Sequence, residues 1–223
     1  MSLACNHMLF PKRTLLAAFA ISAAAGFLLC GYEFIRAVST SLFIEAYGAK
    51  NLPRVMVAIP PGVFLLLYVY GRILSWLGAN RALLLTSLLS AALIAGSYGM
   101  LLKGYALAAA LVYVFREAYI VLISEQYWSL VNSTLSSEQA RRINGPFCGL
   151  ASLGSIAGGL LVGRWAERLG SETFLIFTAV SLFPAAACAA LAYAFAGEPK
   201  PTEVEKDGRL GHVGVRVLFQ SRY

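Results

Sequence analysis

The chain is predicted to be an all-α integral membrane protein with six transmembrane helices. Hydrophobic residues make up 59% of its 223 residues and charged residues only 13%, whereas soluble domains carry about 25% charged residues. Six apolar segments approach the ~20 residues that a helix needs to cross a bilayer. Charged residues nevertheless occur inside these segments, and a charge within a membrane indicates a functional position by default.

The predicted spans follow one another along the chain with short connections. They cover residues 15–43, 55–70, 82–102, 105–130, 145–162 and 173–196. The first span is long enough to project beyond the bilayer. Pro60-Pro61 should kink the second span, because proline removes a helical hydrogen bond, and Pro184 lies inside the sixth.

The basic residues predict how the helices are oriented. With the N-terminus inside, eleven of the 18 Lys and Arg residues fall in cytoplasmic segments, five in outer loops and two in the membrane. This bias follows the positive-inside rule, and it explains the net charge of +7 without nucleic acid as a partner. We therefore expect a cytoplasmic N-terminus at 1–13, a six-helix domain at 14–197 and a cytoplasmic linker or tail at 198–223. The expected location is a bacterial inner membrane, since no Ser/Arg-rich leader is evident.

An internal repeat divides the six spans into two sets of three. The segments 71–78 and 163–170 match at four of eight positions at an offset of 92, and the same offset relates Glu33 to Glu125 and Leu15 to Leu107. An odd number of spans per copy inverts the second copy in the membrane. Two inverted three-helix repeats within a six-helix half are the organisation of major facilitator transporters. The sequence thus predicts half of a major-facilitator-like transporter.

The first span carries a pair of opposite charges. Glu33 and Arg36 are three residues apart and are therefore neighbours on one helical face, which Thr40 continues. One interpretation is a substrate or ion site. The other is an intrahelical ion pair that makes a long helix tolerable near the interface.

The fourth span presents a polar face within an otherwise apolar segment. Its members recur at helical spacing: Glu117, Ser124, Glu125, Trp128 and Asn132. Arg116 points about 100° away from Glu117. Functionally, Glu117 would bind a cation or a substrate donor, or would titrate during transport. Alternatively, Arg116 pairs with Glu33 or Glu125 to join helices, and Trp128 belongs to an aromatic belt.

The fifth span is rich in glycines spaced four residues apart. The pairs are Gly145/Gly149, Gly154/Gly158 and Gly159/Gly163. Such small-xxx-small spacing lets helices pack closely. The functional interpretation is that it allows this helix to rock against a neighbouring helix. No Walker pattern accompanies these glycines, and the cysteines lack metal-ligand spacing, so no cofactor or metal is predicted. The spans contain no His and no evident nucleophile–base pair, which argues against an enzyme.

Two stretches of the chain carry a family resemblance. The first contains Tyr32-x-x-x-Arg36, then Tyr47-Gly48-Ala49-x-x-Leu52-Pro53, then Pro60-Pro61-Gly62 and Tyr70. The second contains Tyr113-Val114-x-x-Glu117, then Trp128-x-x-x-Asn132, then Ala140-Arg141-Arg142, then Gly149-Leu150-x-x-x-Gly154. The first stretch resembles the first two helices of the ATP/ADP translocases of plastids and intracellular bacteria, which are twelve-helix nucleotide transporters with a major-facilitator-like fold. The second stretch resembles their fourth and fifth helices, and the resemblance covers about Gly31 to Gly159.

The resemblance implies an antiporter that exchanges nucleotides, with Glu117 at the family's functional glutamate. It also implies a second six-helix half, either in the missing part of a longer chain or in another chain. The family carries a lysine a few residues after the first-helix arginine, whereas this chain has Ser39 or Thr40 there, and the family's neighbouring Asp is also absent. Arg36 or Arg116 is the hypothesised replacement, since arginine binds phosphate bidentately.

The sequence therefore predicts a secondary transporter that works by alternating access on a nucleotide or another anionic metabolite. The candidate substrate-binding residues are Glu33, Arg36, Arg116, Glu117, Glu125 and Asn132. Two alternatives remain open. One is a proton-coupled drug or lipid exporter of the same fold, in which Glu117 or Glu125 would titrate. The other is a non-transporting membrane partner or sensor that uses the tail as a docking arm.

Overall fold

The computed structural model of the protein describes residues 12–134 and 137–197. The predicted tail at 198–223 and most of the predicted segment 1–13 lie outside the described residues. The described residues form seven α-helices and one short 3-10 turn at Ala49–Asn51. The helices are α1 (Lys12–Tyr47), α2 (Leu52–Val57), α3 (Ile59–Leu77), α4 (Ala79–Leu102), α5 (Leu107–Thr134), α6 (Ser137–Leu169) and α7 (Thr173–Ala196).

Five of the described helices are long and apolar enough to cross a membrane. They are α1, α3, α4, α5 and α7. Their length and composition indicate a membrane-inserted, all-helical protein, as predicted. Helix α6 contains the predicted span 145–162 but is not among the five. Its many glycines and Arg164 lower its mean hydropathy, and part of its first half lies outside the described side chains.

The chain breaks between α2 and α3 instead of kinking at the proline pair. Residue Ala58 separates the two helices, and Pro60 and Pro61 belong to the first turn of α3. Proline is tolerated there because the first N–H groups of a helix have no intrahelical partner. The predicted kink inside a helix starting at Val55 is therefore wrong, and the second span starts at Ile59 and continues to Leu77.

Helix α1 is the centre of the bundle. It packs against α5, α6 and α7, while α4 packs against α5 and α7, and α3 packs against α5 and α4. One large cluster of buried apolar side chains joins α1, α4, α5 and α7 around Ile35, Ile94, Val112 and Leu175. Helix α3, by contrast, has no buried residue. The charged residues of α1 and α5 therefore lie on the best-packed elements of the described structure.

Glycines let α6 approach α1 very closely. A Cβ placed at Gly154 would collide with the backbone of Gly26, and one at Gly158 would lie 2.7 Å from the Cys30 carbonyl oxygen. Gly154 and Gly158 thus pack as the small-xxx-small spacing predicts. The other two predicted pairs do not, since a Cβ at Gly145, Gly149, Gly159 or Gly163 would meet no atom within 4 Å.

Two helices end on the glycines of the sequence repeat. Gly78 follows α3 with φ 76°, and Gly170 follows α6 with φ 83°, a left-handed conformation that favours glycine. The N–H of Gly78 donates to the Leu74 carbonyl, and the N–H of Gly170 donates to the Ala166 carbonyl. The two repeated segments therefore form the same kind of helix C-terminus.

Candidate functional site

Arg116 joins α5 to α1 through a dense set of hydrogen bonds. Its Nη1 donates to the Arg36 carbonyl oxygen at 2.9 Å, to Ser39 Oγ at 2.9 Å and to Thr40 Oγ1 at 2.6 Å. Its Nε donates to Glu117 Oε1 at 3.0 Å. Its guanidinium carbon also lies 4.1 Å from the centroid of the Tyr113 ring, a cation–π distance.

The surroundings of Arg116 are those of a buried charge with its partners in place. Its side chain is only 10% exposed, and Ser39 and Tyr113 are also buried. Burying an unpaired cation would be strongly unfavourable. Here the Glu117 carboxylate balances the charge of Arg116, and three oxygens of α1 accept hydrogen bonds from its guanidinium.

Glu33 and Arg36 form a second group on the same stretch of α1. Arg36 Nη2 and Nε both donate to Glu33 Oε2, at 2.6 and 3.0 Å. The other carboxylate oxygen, Oε1, accepts a hydrogen bond from Ser155 Oγ on α6 at 2.8 Å. The intrahelical ion pair that the sequence left open is therefore present, and it also contacts a third helix.

The two arginines differ sharply in accessibility. The Arg36 side chain is 56% exposed, and that of Arg116 is 10% exposed. Glu117 is intermediate, with 33% of its side chain exposed. Arg116 on α5 reaches the backbone carbonyl oxygen of Arg36 on α1 and pairs with Glu117, while Arg36 pairs with Glu33. The structure thus brings together one inaccessible cation, one accessible cation and two carboxylates within a single region of α1 and α5.

One predicted site residue, Glu125, has no described contact with this region, and a second, Asn132, cannot be placed relative to it. Glu125 is exposed on α5, about two turns beyond Glu117, and Trp128 is exposed near it. The side chain of Asn132 lies outside the described part of the structure. The alternative in which Arg116 joins helices is present, but its partners differ from those considered: the guanidinium pairs with the adjacent Glu117 and donates to α1 oxygens, instead of pairing with Glu33 or Glu125.

Sequence reasoning missed two residues of the region. Ser39 entered the prediction only as a position that lacks a lysine, and Ser155 was not considered. Ser155 lies between Gly154 and Gly158, the two glycines that contact α1, so a polar residue there is bound to lie near α1. A polar side chain between two contact glycines was the available signal.

Among the described residues, no group of three or more His, Cys, Asp or Glu side chains could hold a metal ion. The chemistry available in this region is therefore that of arginine, carboxylate and hydroxyl groups. Arginine and hydroxyl groups can donate to an anion, while carboxylates can accept from a donor or take up a proton.

Comparison with models of known protein families, with curated proteins and with solved structures gave no match. The class that fold and site define is an all-helical membrane protein with a paired-charge cluster among its apolar helices.

Proposed function

We propose that the chain forms the six-helix half of a secondary transporter that moves a nucleotide or another anionic metabolite by alternating access. The main support is the difference in accessibility between the two arginines. The Arg36 guanidinium is accessible, whereas Arg116, which donates to the Arg36 backbone carbonyl oxygen, has its own charge balanced by Glu117 and by the oxygens of α1. Arg36 is therefore the cation that has room for a ligand.

The placement of Arg116 supports the resemblance to nucleotide translocases despite the missing lysine. That family carries its lysine where this chain has Ser39 or Thr40, and those two hydroxyls accept hydrogen bonds from Arg116. A cation thus reaches the same part of α1 from α5. In our proposal, Arg116 holds the backbone of α1 in place and contributes a positive electrostatic potential there. Arg36 binds the anionic oxygens of the substrate bidentately.

Glu117 has the second role in the proposed site. One of its oxygens accepts from Arg116, and a third of its side chain remains exposed. A partly exposed carboxylate that pairs with Arg116 can also contact a donor group of a substrate or exchange partners with Arg36. This role matches the functional glutamate that the family resemblance implies at this position.

Helix packing is consistent with two three-helix repeats. Exchanging α1 with α5, α3 with α6 and α4 with α7 converts each major helix contact either into itself or into another contact that is present. The α1–α6 contact corresponds to α5–α3, the α1–α7 contact to α5–α4, and the α3–α4 contact to α6–α7. The glycines that end α3 and α6 correspond as well.

A second six-helix half is the partner that this proposal requires. Transport sites of this architecture lie between two halves, so the exposed side of the charge cluster would face the partner. The absence of any buried residue on α3 and the open glycines Gly159 and Gly163 on α6 fit helices that pack against something further. A lipid bilayer or a second half would cover them.

Counterflow in proteoliposomes tests the proposal. Vesicles preloaded with ADP should take up labelled ATP when they contain this chain together with its second half, and Glu117→Gln should abolish uptake. A proton gradient imposed without internal ADP serves as the comparison. Uptake that depends on the gradient and not on ADP would favour the proton-coupled exporter instead.

A further inference from the structure

The carboxylate of Glu33 is shared between two helices. Oε2 accepts both hydrogen bonds from Arg36 on α1, and Oε1 accepts the hydrogen bond from Ser155 on α6. Only 14% of the Glu33 side chain is exposed, compared with 56% of Arg36. Each oxygen of this carboxylate therefore has a different partner.

Because of this division, the two N–H donors of Arg36 share a single acceptor oxygen of Glu33. A guanidinium fork binds best when two separate oxygens accept its two parallel N–H groups. Here both donors converge on Oε2, because Ser155 holds Oε1. An anion that offers two oxygens on one centre can satisfy the fork better than Glu33 does.

The position of Ser155 is fixed by the close approach of α6. A Cβ at Gly158 would lie 3.0 Å from the Glu33 Cβ, so the α6 backbone runs directly beside Glu33. Ser155 is one turn earlier on that helix, facing the carboxylate. If Glu33 leaves Arg36, its charge still has the Ser155 hydroxyl as a hydrogen-bond donor.

We propose that Glu33 is an internal competitor for Arg36, that a phosphate-bearing substrate displaces it, and that Ser155 is a positioning residue that keeps this competitor weak. The proposal rests on the proposed function, since it names the cation that binds the substrate and the group that occupies it beforehand. Ser155 acts through Glu33 and does not touch the substrate.

The two neighbours of Arg36 should have opposite effects on ligand binding. Binding of labelled ATP is measured in lipid nanodiscs that contain this chain together with its second half, since transport sites of this architecture lie between two halves. Glu33→Gln removes the competing charge and should tighten binding about tenfold, the effect of one charge-assisted hydrogen bond. Ser155→Ala frees Oε1, lets Glu33 engage the Arg36 fork with both oxygens, and should weaken binding about threefold or more.

Ser152→Ala is the matched control for the serine. Ser152 lies one turn earlier on α6, and its hydroxyl donates only within that helix, to the Cys148 carbonyl. Its removal should leave ATP binding unchanged. Size-exclusion profiles of all variants establish that each one folds.

The outcomes separate this inference from the proposed function. ATP binding that is lost in Arg36→Ala but is no tighter in Glu33→Gln overturns the inference alone. So does a Ser155→Ala variant that binds like Ser152→Ala. No ATP binding by the assembly of both halves, with this chain either unmodified or carrying Glu33→Gln, overturns the nucleotide function together with the inference.

Discussion

At the residue scale, the two arginines of the site have different roles: Arg116 is structural, and Arg36 is the proposed binding residue. Arg116 donates to four acceptors on two helices and stacks on Tyr113, while Arg36 has Glu33 as its ion-pair partner and remains accessible. Buried donors that lose their partners are costly, whereas accessible ones can be hydrated. The two residues should therefore respond oppositely in assays of stability and of binding.

Replacing Arg116 is expected to destabilise the bundle. Arg116→Ala leaves Ser39, Thr40 and the Glu117 carboxylate without their shared donor, which should cost about 2–3 kcal/mol. Denaturation of the purified protein in mixed micelles measures this change. Arg36→Ala is the comparison and should cost less, because Arg36 is accessible and the Glu33 carboxylate that it leaves keeps the Ser155 hydroxyl as a donor. Equal losses for the two variants would contradict the assigned roles.

The residue types of the site could be predicted, but their pairing could not. Charges inside apolar spans single out Glu33, Arg36, Arg116 and Glu117 without any coordinates. Helical spacing correctly gave Glu33–Arg36 as one of two options. It could not give Arg116–Glu117, because adjacent residues point in different directions on a helix, and only a long, flexible arginine side chain closes that angle.

At the element scale, the predicted helices coincide with the observed ones where hydropathy changes abruptly. The sixth predicted span has the same ends as α7. The second was misplaced, because the break at Ala58 and the continuation of α3 to Leu77 depend on local backbone geometry rather than on hydropathy. The three glycine pairs were equivalent by spacing, and only tertiary packing distinguishes Gly154/Gly158 from the others.

Glycines on the two sides of α6 should differ in their tolerance of alanine. Gly154→Ala would force α6 away from the Gly26 backbone and should cost about 1–3 kcal/mol, the range for overpacked contacts. Gly159→Ala meets open space and should be neutral or stabilising by up to about 1 kcal/mol, because alanine favours helix. The same denaturation assay measures both.

The comparison is internally controlled, since both substitutions add one methyl group to the same helix. If Gly159→Ala destabilised the isolated chain as much as Gly154→Ala, the close α1–α6 contact would not be what requires glycine.

At the scale of the whole molecule, the number of membrane crossings is the main architectural question. Five described helices meet the length and hydropathy expected of a span, and α6 is the sixth in our proposal. The positive-inside count and the pairing of helix contacts under repeat exchange both favour six crossings. The sequence predicted this arrangement through its repeat, whereas hydropathy is weakest at the glycine-rich α6.

Single-cysteine labelling distinguishes six crossings from five. In a background without native cysteines, Lys103→Cys and Arg168→Cys should react with an impermeant thiol reagent added outside intact cells. Arg81→Cys should react only after permeabilisation. If α6 crosses the membrane, residue 168 lies outside and residue 81 inside. If α6 does not cross, both residues lie on the inner side. Protection of Arg168→Cys in intact cells would therefore contradict the six-span architecture.

The central claim is that the exposed side of the charge cluster lines an aqueous substrate site and does not face lipid. The most direct measurement is the reaction of Arg36→Cys with an anionic, membrane-impermeant thiol reagent, in a background without native cysteines. Phe183→Cys is its matched control, since Phe183 is 58% exposed and lies a similar distance from the outer ends of the helices. Thiols react with such reagents as thiolates, which form only in water.

We predict that Arg36→Cys reacts readily, whereas Phe183→Cys stays unreactive because it faces lipid. Equal protection of the two positions would contradict the account, because the Glu33–Arg36 pair would then be structural support for a long helix within the bilayer.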